Sequence, residues 1–150
     1  MNLINYIDRQ RVIFLEANEI NSALKEMVEA SREKVNNSDN FLQALISREE
    51  LMSTGFGFGI AYPHAKTPDI DEFFITIGIS KAGIDWKSFD QKDAQLIFMI
   101  GGPDGQQDIY LKLLAGLSSF LKNSQLHDQL TNFCEDIDSF YQFIVKNLNQ

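Results

Sequence analysis

The residues best able to do chemistry in this chain surround a histidine in the stretch TGFGFGIAYPHAK, which covers positions 54–66. His64 is one of two histidines among the 150 residues. A neutral imidazole, with an ordinary pKa of about 6.5, is both a nucleophile and a base near neutral pH. Pro63 fixes its own φ and favours an extended residue before it, so the run from Ile60 predicts a strand that delivers His64 at its end. His64 is therefore the first candidate nucleophile, although a lone histidine is more often structural.

Two neighbouring features could hold an anion beside this histidine. The planar donor fork of Arg48 can bind a phosphate or a carboxylate, although a surface arginine paired with a nearby acid is the simpler interpretation. Ser53, Thr54 and Gly55 could offer hydroxyl and backbone N–H donors, or could simply end a helix. The G-x-G-x-G spacing matches neither a dinucleotide fingerprint nor a P-loop.

The other reactive side chains favour structural roles. His127 lies between polar residues on a predicted surface helix, and Cys134 lies beside an aromatic residue near a helix end. Tyr110 belongs to the apolar stripe of a predicted helix, which on periodicity alone makes it a core or rim aromatic.

Composition restricts the class of protein. Hydrophobic residues make up 44% and charged residues 23% of the chain, which is typical of a globular protein. The net charge is −8, with 21 acidic against 13 basic residues and no basic cluster, which disfavours nucleic-acid binding and favours a basic partner surface.

Cysteine usage and hydropathy indicate a location. A single cysteine excludes a disulfide within the chain and suits a reducing cytosol, and no Cys/His cluster has zinc spacing. We see neither a signal peptide nor an apolar run of about 18 residues, so we expect a cytoplasmic protein without membrane insertion.

Periodicity predicts the elements that must position these residues. We predict strands at 12–16, 73–79 and 94–100, with an excursion or hairpin over 81–93. We predict helices over 20–31, from an N-cap at Ser38 with Arg48 in the last turns, over 110–121, from Ser124 to about 134, and from Asp136 onward. This order favours a sheet with helices packed on its faces, α/β or α+β.

The segment from Arg48 to Ala65 resembles the signature of fructose/mannitol-type EIIA domains of the bacterial phosphoenolpyruvate-dependent phosphotransferase system. The matching residues are Glu49, Phe56, Gly57, Ile60, Ala61, Pro63, His64 and Ala65. The likeness extends over essentially the whole chain. It implies one domain over residues 1–150, with a central mixed sheet of about five strands flanked by helices on both faces.

The resemblance implies a phosphocarrier without a cofactor or metal. In that family the residue matching His64 accepts a phosphoryl group from phospho-HPr and passes it to an EIIB domain, which serves a membrane EIIC permease. The residue matching Arg48 holds the phosphoryl group, and N–H donors of the loop glycines would help to cradle its oxygens.

One position departs from the family. Many members carry a second active-site histidine where this chain has Tyr110, whose phenol can donate a hydrogen bond but stays neutral near pH 7. We expect phosphorylation to be retained, with an altered transfer potential or pH dependence. Two alternatives stay open: a regulatory paralogue of the nitrogen-related branch, and a degenerate binding module without phosphotransfer.

Overall fold

Two long apolar runs form the centre of the sheet in the computed structural model, which describes residues 2–148. Strands β5, Phe74–Ile84, and β6, Ala94–Gly102, pair antiparallel. Most of their side chains are buried, because both faces of these strands are covered along most of their length. The predicted runs at 73–79 and 94–100 are thereby confirmed as strands, and β5 extends into the predicted excursion.

Four shorter strands complete a mixed sheet. They are β1 Ile7–Phe14, β2 Gly55–Gly57, β3 Ile60–Ala61 and β4 His64–Lys66. The hydrogen-bonded order is β1-β5-β6-β3-β2, and β4 also pairs with β6. Strands β3 and β4 run parallel to β6, whereas β2 turns back antiparallel to β3 at the edge of the sheet.

The helices divide between the two faces. They are α1 Ile20–Ala30, α2 Ser38–Leu51, α3 Gln107–Leu121, α4 Ser124–Asp128, α5 Leu130–Glu135 and α6 Ile137–Leu148, with short 3-10 turns at Leu3–Tyr6 and Arg32–Lys34. None of the described helices combines the length and the apolar composition needed to cross a bilayer.

Successive side chains of the central strands belong to two different hydrophobic cores, one on each face of the sheet. Ile77 and Phe98 point into the core beneath α3 to α6. Ile97 and Met99 point into the core beneath α1 and α2. Successive strand residues face opposite ways, so one sheet serves both cores. The predicted class, a mixed sheet with helices on both faces, is confirmed, with six strands in place of about five.

Several predicted boundaries were wrong by a few residues. The first strand is Ile7–Phe14 and not 12–16, since its exposed half lacks an apolar run. The cap of α2 is Asn37, whose side chain accepts the backbone N–H of Asn40 at 3.1 Å, and not Ser38. The predicted fourth helix is two short helices that are separated at Gln129, and Asn123 caps the first of them.

Candidate functional site

His64 opens strand β4 and pairs with Ile100 of the central strand β6. Its residue exposure is 7%, so the side chain is largely buried. Nδ1 lies 2.8 Å from the backbone oxygen of Tyr62. A carbonyl oxygen can only accept, so Nδ1 carries the proton and donates it. The lone pair is therefore on Nε2, and the ring is oriented as a nucleophile.

The surroundings of His64 favour its neutral form. Burial lowers its pKa below the ordinary value of 6.5, and the charge of Arg48 lowers it further, against the hydrogen bond to Tyr62, which raises it. At neutral pH the imidazole is therefore uncharged, which is its nucleophilic form.

We expect an NMR titration of the His64 ring to give a midpoint below 6.5, with the same ring in urea serving as control at its ordinary value. Because the unfolded chain then binds this proton more readily, His64 contributes fully to the unfolding free energy above pH 6.5 and this contribution is lost as the pH falls. A midpoint at or above that of the urea control would contradict the assigned environment.

Arg48 lies in the last turn of α2, and its charge acts on both His64 and Tyr110. Nη1 donates to the backbone oxygen of Met52 at 2.9 Å. Within residues 2–148 no carboxylate forms an ion pair with it. The simpler interpretation, a surface arginine paired with an acid, is therefore wrong. Most of its five N–H donors stay available to an anion at this site.

Tyr110 is the aromatic neighbour of His64 on the first turn of α3. The two ring centroids lie 5.9 Å apart in an edge-to-face arrangement. Burial raises the pKa of the phenol to about 12, although the charge of Arg48 opposes the rise. The phenol therefore stays protonated and can donate. Among the described residues it has no hydrogen-bond partner, so its donor is free to bind a ligand.

Both hydroxyls of Ser53 and Thr54, and the backbone N–H groups of Thr54 and Gly55, are engaged within the protein. The N–H and hydroxyl of Thr54 each donate to a carboxylate oxygen of Glu49, both at 2.6 Å. The hydroxyl of Ser53 donates to the backbone oxygen of Trp86 at 2.5 Å and accepts the N–H of Gly55 at 2.9 Å. Phosphoryl binding by these three residues stays a prediction, and it would require these bonds to be exchanged.

The later glycines make a turn at the other end of β3. Gly57 and Gly59 have φ values of +94° and +81°, which favour glycine. A Cβ on Gly59 would lie 2.4 Å from a methyl carbon of Leu130. On β6, Ile60 pairs with Leu96 and His64 pairs with Ile100, which is four residues further along. The turn before Ile60 therefore lies roughly 13 Å from His64 along the sheet. The expectation that loop glycines cradle a phosphoryl group stays a prediction, and this placement counts against Gly57 and Gly59.

Glu49 joins the end of α2 to the segment before β2, a role that no periodicity indicates. Because Thr54 is only 3% exposed, its two donors depend on this carboxylate. We expect Glu49→Ala to lower the free energy of unfolding by about 1–3 kcal/mol, since buried donors would lose their acceptor. Urea unfolding measures this. Glu50→Ala, at the exposed neighbour, is the control, and an equal loss in both variants would contradict the assignment.

The remaining candidates have structural roles, as the sequence indicated. Nε2 of His127 donates to the backbone oxygen of Leu121 at 2.6 Å, and its ring stacks on Phe58 at 4.1 Å. Cys134 is 2% exposed, and burial raises the pKa of its thiol to about 11. In the part of the chain that the structure describes, no group of three or more His, Cys, Asp or Glu side chains could hold a metal ion.

Comparison with known sequences gives a family match over nearly the whole chain. The family described as "Phosphoenolpyruvate-dependent sugar phosphotransferase system, EIIA 2" matches residues 5–147. The fructose-specific EIIABC component of Bacillus subtilis is 36% identical over 118 residues, covering 77% of this chain and 19% of that protein. The fructose-specific EIIA component of Haloferax volcanii is 38% identical over 97 residues, covering 65% and 63%. The chain thus spans less than two thirds of either relative.

Regulatory relatives match this chain in sequence, and solved structures match it in fold. A nitrogen regulatory protein of Bradyrhizobium diazoefficiens is 28% identical over 117 residues, covering 77% of this chain and 76% of that protein. The crystal structure of IIA-Ntr from Neisseria meningitidis has a TM-score of 0.79 at 20% identity, covering 85% and 88%. The mannitol enzyme IIA of Escherichia coli, in complex with phosphorylated enzyme IIB, has a TM-score of 0.66 at 19% identity, covering 81% and 85%.

Proposed function

Because the chain belongs to the EIIA 2 family of the phosphoenolpyruvate-dependent sugar phosphotransferase system, we propose that it is a phosphocarrier of that system. It accepts a phosphoryl group from phospho-HPr on His64 and passes it to an EIIB component that serves an EIIC permease in the cytoplasmic membrane. The observation that carries this proposal is the hydrogen bond from Nδ1 of His64 to Tyr62, which leaves the lone pair on Nε2.

The transfer needs no additional reactant. The lone pair of Nε2 forms the new N–P bond while the N–P bond of phospho-HPr breaks. The electron pair of the broken bond returns to the imidazole of HPr. Nδ1 of His64 keeps its proton throughout, so the phosphorylated ring carries a positive charge that the carbonyl of Tyr62 stabilises. Transfer to EIIB repeats the step with the roles reversed. Neither a metal nor a cofactor enters these steps.

Arg48 and Tyr110 would stabilise the charge on the transferred group. Phosphoryl transfer spreads negative charge over three oxygens, so positioning and neutralisation carry most of the catalysis. The guanidinium of Arg48 offers unpaired donors, and the phenol of Tyr110 offers one donor that stays protonated. Tyr110 supplies no positive charge here. We therefore expect phospho-His64 to have a different transfer potential from a phosphohistidine that lies beside a second histidine.

Exposed apolar side chains follow Arg48 and Tyr110 in the chain and would contact a protein partner. Leu51 and Met52, which follow Arg48 at the end of α2, are 83% and 72% exposed, and Leu111 beside Tyr110 is 54% exposed. With a chain charge of −8, the complementary partner would carry a basic surface around its own apolar contact.

Incubation with phosphoenolpyruvate, Enzyme I and HPr tests the proposal. Intact-mass spectrometry should show one acid-labile phosphoryl group per chain, and no adduct should form when HPr is omitted. Absence of the adduct under conditions that phosphorylate a known EIIA domain would refute the phosphocarrier function and support a binding module without phosphotransfer.

A regulatory function is the second candidate, favoured by the likeness to nitrogen regulatory proteins in sequence and fold. In that case the phosphorylation state of His64 would control the binding of another protein. Adding a fructose-type EIIB domain to the phosphorylated chain separates the two functions. A phosphoryl group that moves to EIIB supports sugar transport, whereas one that stays on the chain supports regulation.

A further inference from the structure

Lys66 occupies the same face of β4 as His64, two residues further along the strand. Its ammonium group contacts the side-chain oxygen of Gln107 and lies 3.5 Å from the backbone oxygen of Gly105. It also lies 4.8 Å from the centroid of the Tyr110 ring. One side chain on the histidine strand therefore contacts both the segment that begins α3 and the aromatic residue beside His64.

The segment that Lys66 holds has an uncommon backbone. Gly105 and Gln106 have φ values of +78° and +48°, and the second is the residue that precedes α3. A left-handed conformation at a residue other than glycine costs energy and persists where its surroundings hold it. Since Tyr110 lies on the first turn of this helix, the contacts of Lys66 help to place its ring.

The ring of Tyr110 lies among three neighbours. His64 meets it edge-to-face at 5.9 Å, Phe73 stacks with it at 6.1 Å, and the ammonium of Lys66 completes the group. A nearby cation makes a phenol a stronger hydrogen-bond donor, because it stabilises negative charge that develops on the oxygen. Lys66 can thus act on the site without contacting the transferred group.

We propose that Lys66 is a positioning residue of the phosphoryl site: it holds Tyr110 against His64 and strengthens its phenol as a donor to a phosphoryl group on Nε2. This inference rests on the proposed function of His64. Lys66, acting through Tyr110, would supply part of the stabilisation of the phosphoryl group that a second histidine would otherwise supply.

Phosphoramidate as a small-molecule donor tests the inference without a protein partner. Its P–N bond breaks, the Nε2–P bond forms, and ammonia leaves. We expect Lys66→Met to slow phosphorylation of His64 by about fivefold to tenfold. Lys66→Arg should stay within about twofold of the unaltered protein, and so should Lys112→Met, which removes the same charge from an exposed position on α3.

A double-mutant cycle shows whether Lys66 acts through the phenol. In a Tyr110→Phe background, where the ring remains and the hydroxyl is absent, Lys66→Met should change the rate by less than about twofold. The 31P chemical shift of phospho-His64 should follow the same pattern. Far-UV circular dichroism checks folding, and Lys66→Gln replaces the methionine variant if that variant unfolds.

Two outcomes would overturn the inference. One is an unchanged rate in Lys66→Met. The other is a full effect of Lys66→Met in the Tyr110→Phe background, which would show that Lys66 acts independently of the phenol. Failure of the proposed function looks different: phosphoramidate would then give the adduct and phospho-HPr would not. A chain that neither donor phosphorylates would refute both.

Discussion

His64→Ala is expected to abolish the phosphoryl adduct formed from phosphoenolpyruvate, Enzyme I and HPr. Among the described residues at the site, no other side chain offers a free nitrogen nucleophile. A guanidinium such as that of Arg48 has no lone pair to donate, the amine of Lys66 is engaged with Gln107, and the Tyr110 phenol, with a pKa of about 12, keeps its proton. The loss should be at least about 10³-fold, because the atom that forms the covalent bond is removed. Intact-mass spectrometry under neutral conditions measures the adduct.

The control for this result is the second histidine. His127→Ala should keep the adduct, because the His127 ring is hydrogen-bonded to Leu121 and stacked on Phe58. His64→Gln keeps more of the buried volume than alanine and guards against loss of the fold. A phosphoryl group that persists on a folded His64→Gln variant would place the acceptor elsewhere and refute the assignment.

Arg48→Met is expected to slow phosphorylation of His64 by about 10²-fold, since the only guanidinium at the described site would no longer neutralise the transferred oxygens. The rate of adduct formation from phospho-HPr measures the effect. The hydrogen bond from Arg48 to Met52 lies at the surface, so its loss should lower the free energy of unfolding by no more than about 1.5 kcal/mol. The loss should therefore appear as slow chemistry in a folded protein.

Arg32→Met provides the matched control, because Arg32 is 77% exposed in its side chain and pairs only with Glu29 among the described residues. It removes the same charge from the chain, so it should leave the rate within about twofold of the unaltered protein. Equal slowing in both variants would mean that net charge, and not a local clamp, controls the encounter with the donor.

Local patterns predicted the central strands and most helices of this protein. The runs at 73–79 and 94–100 are continuous because both faces are covered, which periodicity can show. Helix α1 keeps a narrow apolar stripe, which made it predictable from Ile20 onward. The three-residue strand β2 and the break at Gln129 depend on pairing and packing with distant residues. No local window contains that information.

The site divides in the same way. The Pro-His pair and Arg48 were predictable, because residue type and neighbouring sequence indicate their chemistry. The state of His64 depends on the carbonyl of Tyr62 and on burial between β6 and the helices. The carboxylate of Glu49 occupies the donors of Thr54, which on sequence grounds were available to an anion.

By itself, then, the sequence determined which residues can do chemistry and which segments form the central strands of the sheet. The tertiary structure alone decided which donors are free, which turn lies far from His64, and that Lys66 contacts the ring of Tyr110. The physical reason is that element type follows from local periodicity, whereas hydrogen-bond partners, burial and ring contacts arise between segments that are distant in the chain.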